Sequence, residues 1–344
     1  MQLRRVAVAA LLLTGAIATV LAGFAVWLFA AFEQPYEDGP AVTLIVPRGA
    51  GLDDMAKLLA AGGVLEDPLP FVFGARINDM GPRLRAGEYA FPASISPRAA
   101  MDLLASGKTV VYRLTVPEGL TTAQALKLIT DAEALAGDIA RKRDEGALLP
   151  DTYHYSRGDT REGLAARMEK AMQAALDAAW AAKPADFALK SPRELAVLAS
   201  IVEKETGVAD ERPLVAGVFL NRLKRGMKLQ SDPTVAYGVA KRESKPGDWL
   251  DRALTRADLA APSPFNSYLN DGLPPTPIAS PGRAALMAVV KPAATDALYF
   301  VADGSGGHAF ARTLDEHNRN VAKWRALNRN RPEPGRAAPD AATP

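Results

Sequence analysis

Cysteine is absent from the 344 residues, which excludes disulfide bridges and thiolate chemistry. Histidine is scarce. His154, His308 and His317 stand far apart with no H-x-x-x-H pair, so the spacing offers no zinc site. Charge of one sign is not in excess, at 41 basic against 39 acidic residues and a net +2. The basic residues are scattered, whereas a nucleic-acid surface needs a concentrated basic face. The most informative absence is local: Val6 to Phe32 carries no charged side chain. At ~1.5 Å per helical residue this run is longer than a ~30 Å hydrocarbon core requires. Arg4 and Arg5 precede it and Glu33 follows it. The spacing predicts a cytoplasmic N-terminus over residues 1–5, a single membrane-spanning helix over 6–32, and a working part on the far side of the membrane. A cleaved signal peptide is the alternative, since Gly23-Phe24-Ala25 resembles a small-residue cleavage pattern. The run far exceeds the usual ~7–15 residue signal core, however, and cleavage there would leave an apolar 26–32 end.

Beyond the span, residues 33–40 read as a short polar linker. Val42 to Val46 is rich in β-branched residues and predicts a strand. Helices are expected over 53–61, 69–77 and 97–106, with a second strand at Gly87 to Phe91. This strand–helix–helix–strand order suits a small sugar-binding module and, equally, an ordinary α+β spacer. A strand over 109–116 opens a second α+β domain. Helices are expected there at 121–134, 161–182, 192–204 and 212–224, with a loop over 145–153. The Pro- and Gly-rich stretch 226–292 is long for a structureless loop and marks a functional segment. A buried strand at 297–302, a helix at 313–327 and a Pro/Ala-rich disordered tail over 328–344 complete the reading.

Chemistry concentrates around one helix start. Ser191, Pro192 and Glu194 form a capping-box signature, and the helix then runs to a stop at Gly207. Leu198, Ile201, Val202 and Glu205 share one face, while Glu203 and Lys204 project away from it. A carboxyl on an apolar face loses solvation of its charged form, so it stays protonated near neutral pH and serves as a general acid. Spacing alone leaves open a second reading, a terminal-turn Glu205 paired with a neighbouring base. Downstream, Gln230, Ser231, Asp232, Asn266 and Tyr268 lie on proline-braced turns. Such side chains suit sugar hydroxyls and acetamido groups, and equally plain turn chemistry.

Taken together, these segments are recognisable. The chain resembles the membrane-anchored endolytic murein transglycosylases of the MltG (YceG-like) family. The resemblance rests on Ala199-Ser200-Ile201-Val202-Glu203-Lys204-Glu205-Thr206, on Asn221-Arg222-Leu223 and on Leu229-Gln230-Ser231-Asp232-Pro233-Thr234. It continues through Asn266-Ser267-Tyr268, Gly272-Leu273-Pro274-Pro275, Ile278-Ala279-Ser280-Pro281-Gly282 and Gly307-His308-Ala309-Phe310. Leu149 stands where the family often has an aromatic residue. The resemblance implies a LysM-like module over 41–108 and a YceG-like catalytic domain over 109–327. It implies non-hydrolytic cleavage of the β-1,4 bond between N-acetylmuramic acid and N-acetylglucosamine within glycan strands, leaving a 1,6-anhydro end. Glu205 would be the single acid/base, with Gln230, Ser231, Asp232, Asn266 and Tyr268 as candidate substrate-binding residues. No metal or cofactor is implied. Expected partners are peptidoglycan strands, the bacterial inner membrane that holds the anchor, and glycan-polymerising synthases; nucleic acid is not expected. The catalytic domain would be periplasmic. The alternatives are a muramidase-type hydrolase and a non-catalytic wall-binding scaffold.

Overall fold

The computed structural model describes residues 2–243, 249–250 and 252–329. The N-terminal helix α1 covers Gln2–Glu33, longer at both ends than the uncharged run. Its residues 5–27 are exposed, as expected of a helix that has no soluble surface to cover. By length and composition α1 fits a single-pass membrane anchor.

The chain divides into two compact units, the first made of residues 1–112 with the short returns 134–136 and 154–159. In the first unit, strands β1 (Val42–Val46) and β2 (Gly87–Phe91) pair antiparallel, with Leu44 opposite Tyr89. Helices α2 (Leu52–Ala61) and α3 (Pro68–Ile77) connect them, and α4 (Pro97–Ser106) follows. Asp67 caps α3 and Ser96 caps α4 through their side chains, each ahead of a proline in the first turn. Their inward faces build a core around Leu59, Phe71, Tyr89, Phe91 and Leu104. Glu88 is buried beside them and satisfied twice, by the Tyr112 hydroxyl at 2.7 Å and by Arg157 Nε at 2.9 Å.

The strand–helix–helix–strand order is present as expected. The linker, by contrast, is tied down. Gln34 N–H donates to Ala30 O, Tyr36 N–H to Ile95 O and Ser94 N–H to Gly39 O, while Arg98 reaches Glu33 at 2.9 Å. The Arg98 guanidinium also lies 5.9 Å from the Phe32 ring, and Phe32 is itself in the core.

Strand β3 (Val111–Thr115) pairs with β4 (Thr152–Ser156). The expected loop runs to Tyr153, whereas β4 begins at Thr152; its Thr-Tyr-His-Tyr-Ser run alternates polar and aromatic residues, the period of a strand. Helix α5 (Thr122–Thr130) closes its first turn with a reciprocal capping box between Thr121 and Gln124, and ends short of the expected 134.

The second unit is mainly helical. Helices α6 (Arg161–Ala181), α7 (Pro192–Glu205) and α8 (Arg212–Lys224) are joined by α9 (Asp232–Arg242), α10 (Arg256–Ala260) and α11 (Arg283–Val290). The last three lie inside the Pro/Gly-rich stretch, whose prolines start or flank helices instead of preventing them. Every residue of α7 from Leu195 to Val202 is buried, and α6, α8 and α11 pack around it. A helix buried on all sides belongs in the middle of a domain. A hairpin of β5 (Tyr299–Ala302) and β6 (His308–Ala311) follows, with α12 (Leu314–Arg329) packed on it. β6 was not expected. The tail from 330 lies outside the described residues, and α12 takes in 328–329.

Candidate active site

Glu205 is the last residue of α7. The helix is set at its start by Ser191, whose hydroxyl accepts from Glu194 N–H at 3.2 Å. The expected reciprocal bond differs in partner: the Glu194 carboxylate accepts from Lys190 N–H at 2.7 Å, one residue before the cap. Ser200 Oγ, deep in α7, accepts from Ile278 N–H in the downstream loop at 3.0 Å. The helix that carries the carboxyl is thus tied to the loop that passes over it.

Around Glu205 the second unit gathers groups from several other segments. Ser231, the cap residue of α9, donates its hydroxyl to Glu205 Oε1 at 2.5 Å, and it accepts no N–H from the first turn of α9. The carboxyl thus faces a helix N-terminus. Burial pushes the Glu205 carboxyl up to about 7, and the neighbouring Asp232 charge adds to the rise; the Ser231 hydroxyl, His308 and Arg222 pull it down. Burial outweighs the three groups that favour the ion, which is the balance a general acid near neutral pH needs.

Asp232 is exposed and accepts from the Tyr268 hydroxyl at 2.7 Å. Burial raises the Tyr268 hydroxyl and that hydrogen bond raises it further, so it remains a donor. Gln230 is exposed and sits in the left-handed region at φ 51°, a strained setting for a residue other than glycine. Its N–H donates to Ser267 O at 3.1 Å, which fixes the bend. Asn266 is placed differently from its expected role. It is buried, its amide donates to Leu259 O and Ala261 O, and its oxygen accepts from Tyr268 N–H. All the hydrogen-bonding groups of its side chain are used in bracing the turn that presents Ser267 and Tyr268. Ser267 in turn accepts from Ser231 N–H at 2.9 Å.

The helical period sets Glu203 away from the apolar stripe, yet that direction does not lead to solvent. Its side chain is only 4% exposed, with Arg212 at 3.0 Å on one oxygen and Gly282 N–H at 2.8 Å on the other. Burial raises this carboxyl, and the bonds from Gly282 and Arg212 oppose the rise. The loop before α11 covers that side of α7, and a loop brought from 79 residues away is invisible to a local period. Both carboxylates are withdrawn from water, then, and only their partners differ: a guanidinium and a backbone N–H for Glu203, a neutral hydroxyl for Glu205.

Two groups near Glu205 received no role from the sequence. Arg222 is buried under the site. It donates to Leu298 O at 2.6 Å and Leu229 O at 2.7 Å, reaches Gln230 Oε1 at 3.5 Å and lies 5.1 Å from the Tyr299 ring. Burial lowers its proton affinity. His308 is held by Glu211, which accepts from both its Nδ1 and its backbone N–H at 2.7 Å and also from Thr206 at 3.2 Å. Burial alone would raise Glu211, but these hydrogen bonds and the His308 charge hold it below the ordinary carboxylate range. Both residues belong to the motifs Asn221-Arg222-Leu223 and Gly307-His308-Ala309-Phe310, which was the available signal. A separate hollow lined by Lys142, Arg193, Ala196 and Lys241 lies on another side of α7. Ala196 and Glu205 are about two and a half turns apart, which puts them on opposite faces. Among the described residues, no group of three His, Cys, Asp or Glu side chains is placed to hold a metal ion.

The arrangement of a buried carboxyl on the α7 end, a serine from the α9 cap and the Gln230 bend falls within a stretch that matches the YceG-like family over residues 44–323. The chain belongs to the YceG-like family. Among relatives of this YceG-like chain, an endolytic murein transglycosylase of Streptococcus pneumoniae serotype 2 is 31% identical over 329 residues, covering 82% of this chain and 58% of its own. An endolytic murein transglycosylase of Bacillus subtilis (strain 168) is 29% identical over 315 residues, covering 82% and 84%. The YceG-like chain therefore spans just over half the length of the pneumococcal relative. A solved yceG-like protein from Listeria monocytogenes aligns with 82% of this chain and 99% of its own at 28% identity, with a TM-score of 0.49.

Proposed function

We propose that this YceG-like chain is an endolytic peptidoglycan lytic transglycosylase with Glu205 as its single acid/base. The observation that carries this reading is the Glu205 carboxyl, raised to about 7 by burial and touched by a neutral hydroxyl instead of a cation. Protonated Glu205 donates to the oxygen of the bond between N-acetylmuramic acid and N-acetylglucosamine. That bond breaks, the glucosamine leaves as a 4-hydroxyl end, and positive charge develops at C1 of the muramoyl ring. The substrate's own N-acetyl carbonyl supports that charge. Ionised Glu205, stabilised by the Ser231 hydroxyl, takes the proton from the C6 hydroxyl as O6 bonds to C1. One carboxyl thus acts first as acid and then as base, as in the two half-reactions of retaining glycosidases.

Gln230 and Tyr268, with the exposed Asp232, form the polar rim that orients sugar hydroxyls and the acetamido group. Asn266 works behind them as a positioning residue. The first unit binds glycan in the manner of a LysM module, and α1 anchors the chain in the inner membrane with its N-terminus cytoplasmic and the remainder periplasmic. Glycan-polymerising synthases are the expected neighbours.

The second reading is a muramidase-type hydrolase. It is favoured by the charge of Asp232, close enough to raise Glu205. Sacculi digested by the protein and analysed by mass spectrometry separate the two. Transglycosylation leaves 1,6-anhydro ends, and reducing ends would overturn it in favour of hydrolysis.

A further inference from the structure

The outward face of α3 is apolar apart from Arg76; Val72 packs in part against the core of the first unit, while Leu69 and Ile77 stand exposed. At 100° per residue, Leu69, Val72, Phe73, Arg76 and Ile77 fall on one stripe about 140° wide. Leu69 is 54% and Ile77 64% exposed, and Val72 and Phe73 are partly exposed. The opposite face, with Phe71, Gly74 and Ala75, is buried in the first unit. A surface helix ordinarily presents polar residues outward, so a helix apolar all round has a second surface to cover.

What covers it follows from the helix beside it. α3 packs on the C-terminal end of α1, where the Phe32 ring lies so close to Gly74 that a Cβ there would overlap it. Leu28 is likewise buried. The last turn of α1 is therefore part of the folded unit, fixed further by the Arg98–Glu33 contact and by Tyr36 N–H on Ile95 O. Residues 6–27 remain to cross lipid, and at ~1.5 Å each they span about 33 Å, close to a ~30 Å hydrocarbon core. Leu28 then lies where the hydrocarbon ends. Trp27, exposed and stacked on Phe24, takes the interfacial level favoured by tryptophan. With no slack between span and unit, the helix that packs on Phe32 is brought to the lipid headgroups.

We propose that Leu69, Val72, Phe73 and Ile77 seat the first unit on the bilayer beside its own membrane span. The apolar side chains enter the boundary between headgroups and acyl chains. Arg76, paired with Asp53 at 3.2 Å, keeps its charged end in the headgroup layer while its stem lies along the apolar stripe. Glu66 and Asp67 precede the helix, so the contact is driven by apolar burial and does not require anionic lipid.

The inference rests on α1 being a membrane span, and the test separates the two. The cysteine-free chain allows single cysteines for a polarity-sensitive fluorophore at Val20, Leu69, Ile77 and Lys108 in the full-length protein, reconstituted in phosphatidylcholine nanodiscs. Quenching is measured with a nitroxide near the headgroup end of the lipid chain and with aqueous iodide. Labels at 69 and 77 are expected to show about twofold more lipid quenching than the label at exposed Lys108, with reduced iodide access. If the Val20 label is not quenched by lipid, the span itself is wrong. If Val20 is quenched but 69 and 77 behave like 108, the seat is overturned while the span stands. Shielding of 69 and 77 from iodide without lipid quenching would assign the face to a protein surface and overturn the proposal too.

Discussion

The Ser231 hydroxyl donates to Glu205 Oε1 across a separation of 26 residues, linking the end of α7 to the start of α9. A serine in that place ordinarily accepts from an N–H of its own helix; here it accepts none and turns its hydroxyl proton to the carboxyl. The bond favours the ionised form against the burial that disfavours it. Ser231→Ala therefore raises the Glu205 pKa further. The alkaline limb of the kcat/KM profile is expected to move to higher pH, while kcat falls because the base form is less supported. An unmoved alkaline limb would mean that Glu205 is not the titrating group.

Glu205→Gln keeps the shape but cannot carry the proton. Its loss of activity is expected at roughly 10²–10⁴-fold or more, since one group serves both half-reactions. Stability gives an independent reading. The unfolded chain releases this proton near 4.5, whereas the folded chain holds it to about 7. Folding stability contributed by this group therefore declines as pH rises from about 4.5 to about 7 and stays reduced above, by at most about 3 kcal/mol. Glu205→Gln removes that loss. The variant should melt higher than the parent at about pH 8 and close to it at about pH 4, as measured by calorimetry.

Glu203→Gln acts on the fold. The amide retains one acceptor, yet its NH₂ group must face either Arg212 or Gly282 N–H, both donors. Breaking a buried pair in this way costs on the order of 3 kcal/mol. A lowered Tm with rate per folded molecule preserved is expected. A variant that folds as well as the parent but does not cleave would transfer the acid/base role to Glu203.

At Gln230, two substitutions separate backbone from side chain. With φ at 51°, glycine relieves the strain and alanine does not. Gln230→Gly should be more stable than Gln230→Ala by about 1 kcal/mol. Both should raise KM for glycan strands to a similar degree, because both lose the amide. If KM follows stability instead, Gln230 serves the bend and does not touch sugar.

His308→Ala removes a group that pulls Glu205 down and also releases Glu211. The alkaline limb is expected to shift upward, in the same direction as in Ser231→Ala. Thermal stability should fall as well, since Glu211 loses its ring partner. A stability loss with an unchanged pH profile would limit His308 to a structural role.

Much of this protein is written in contacts between near neighbours along the chain. The uncharged run from Val6 to Phe32, the Ser191-Pro192 start of α7 and the alternation of strand and helix in the first unit depend on residues within a turn or two. So does the position of Glu205 on an apolar stripe. Everything else depended on which distant segment arrives. Folding buried Glu203 under the loop before α11, consumed the Asn266 side chain in bracing a turn, and brought Ser231, Arg222 and His308 to bear on one carboxyl. It also fastened residues 33–40, which read as a linker because the groups that hold Tyr36 and Gly39 lie at Ile95 and Ser94. A side chain's proton affinity and exposure are set by the dielectric and the donors around it, and at each of these positions those are supplied by chain that lies far away in sequence.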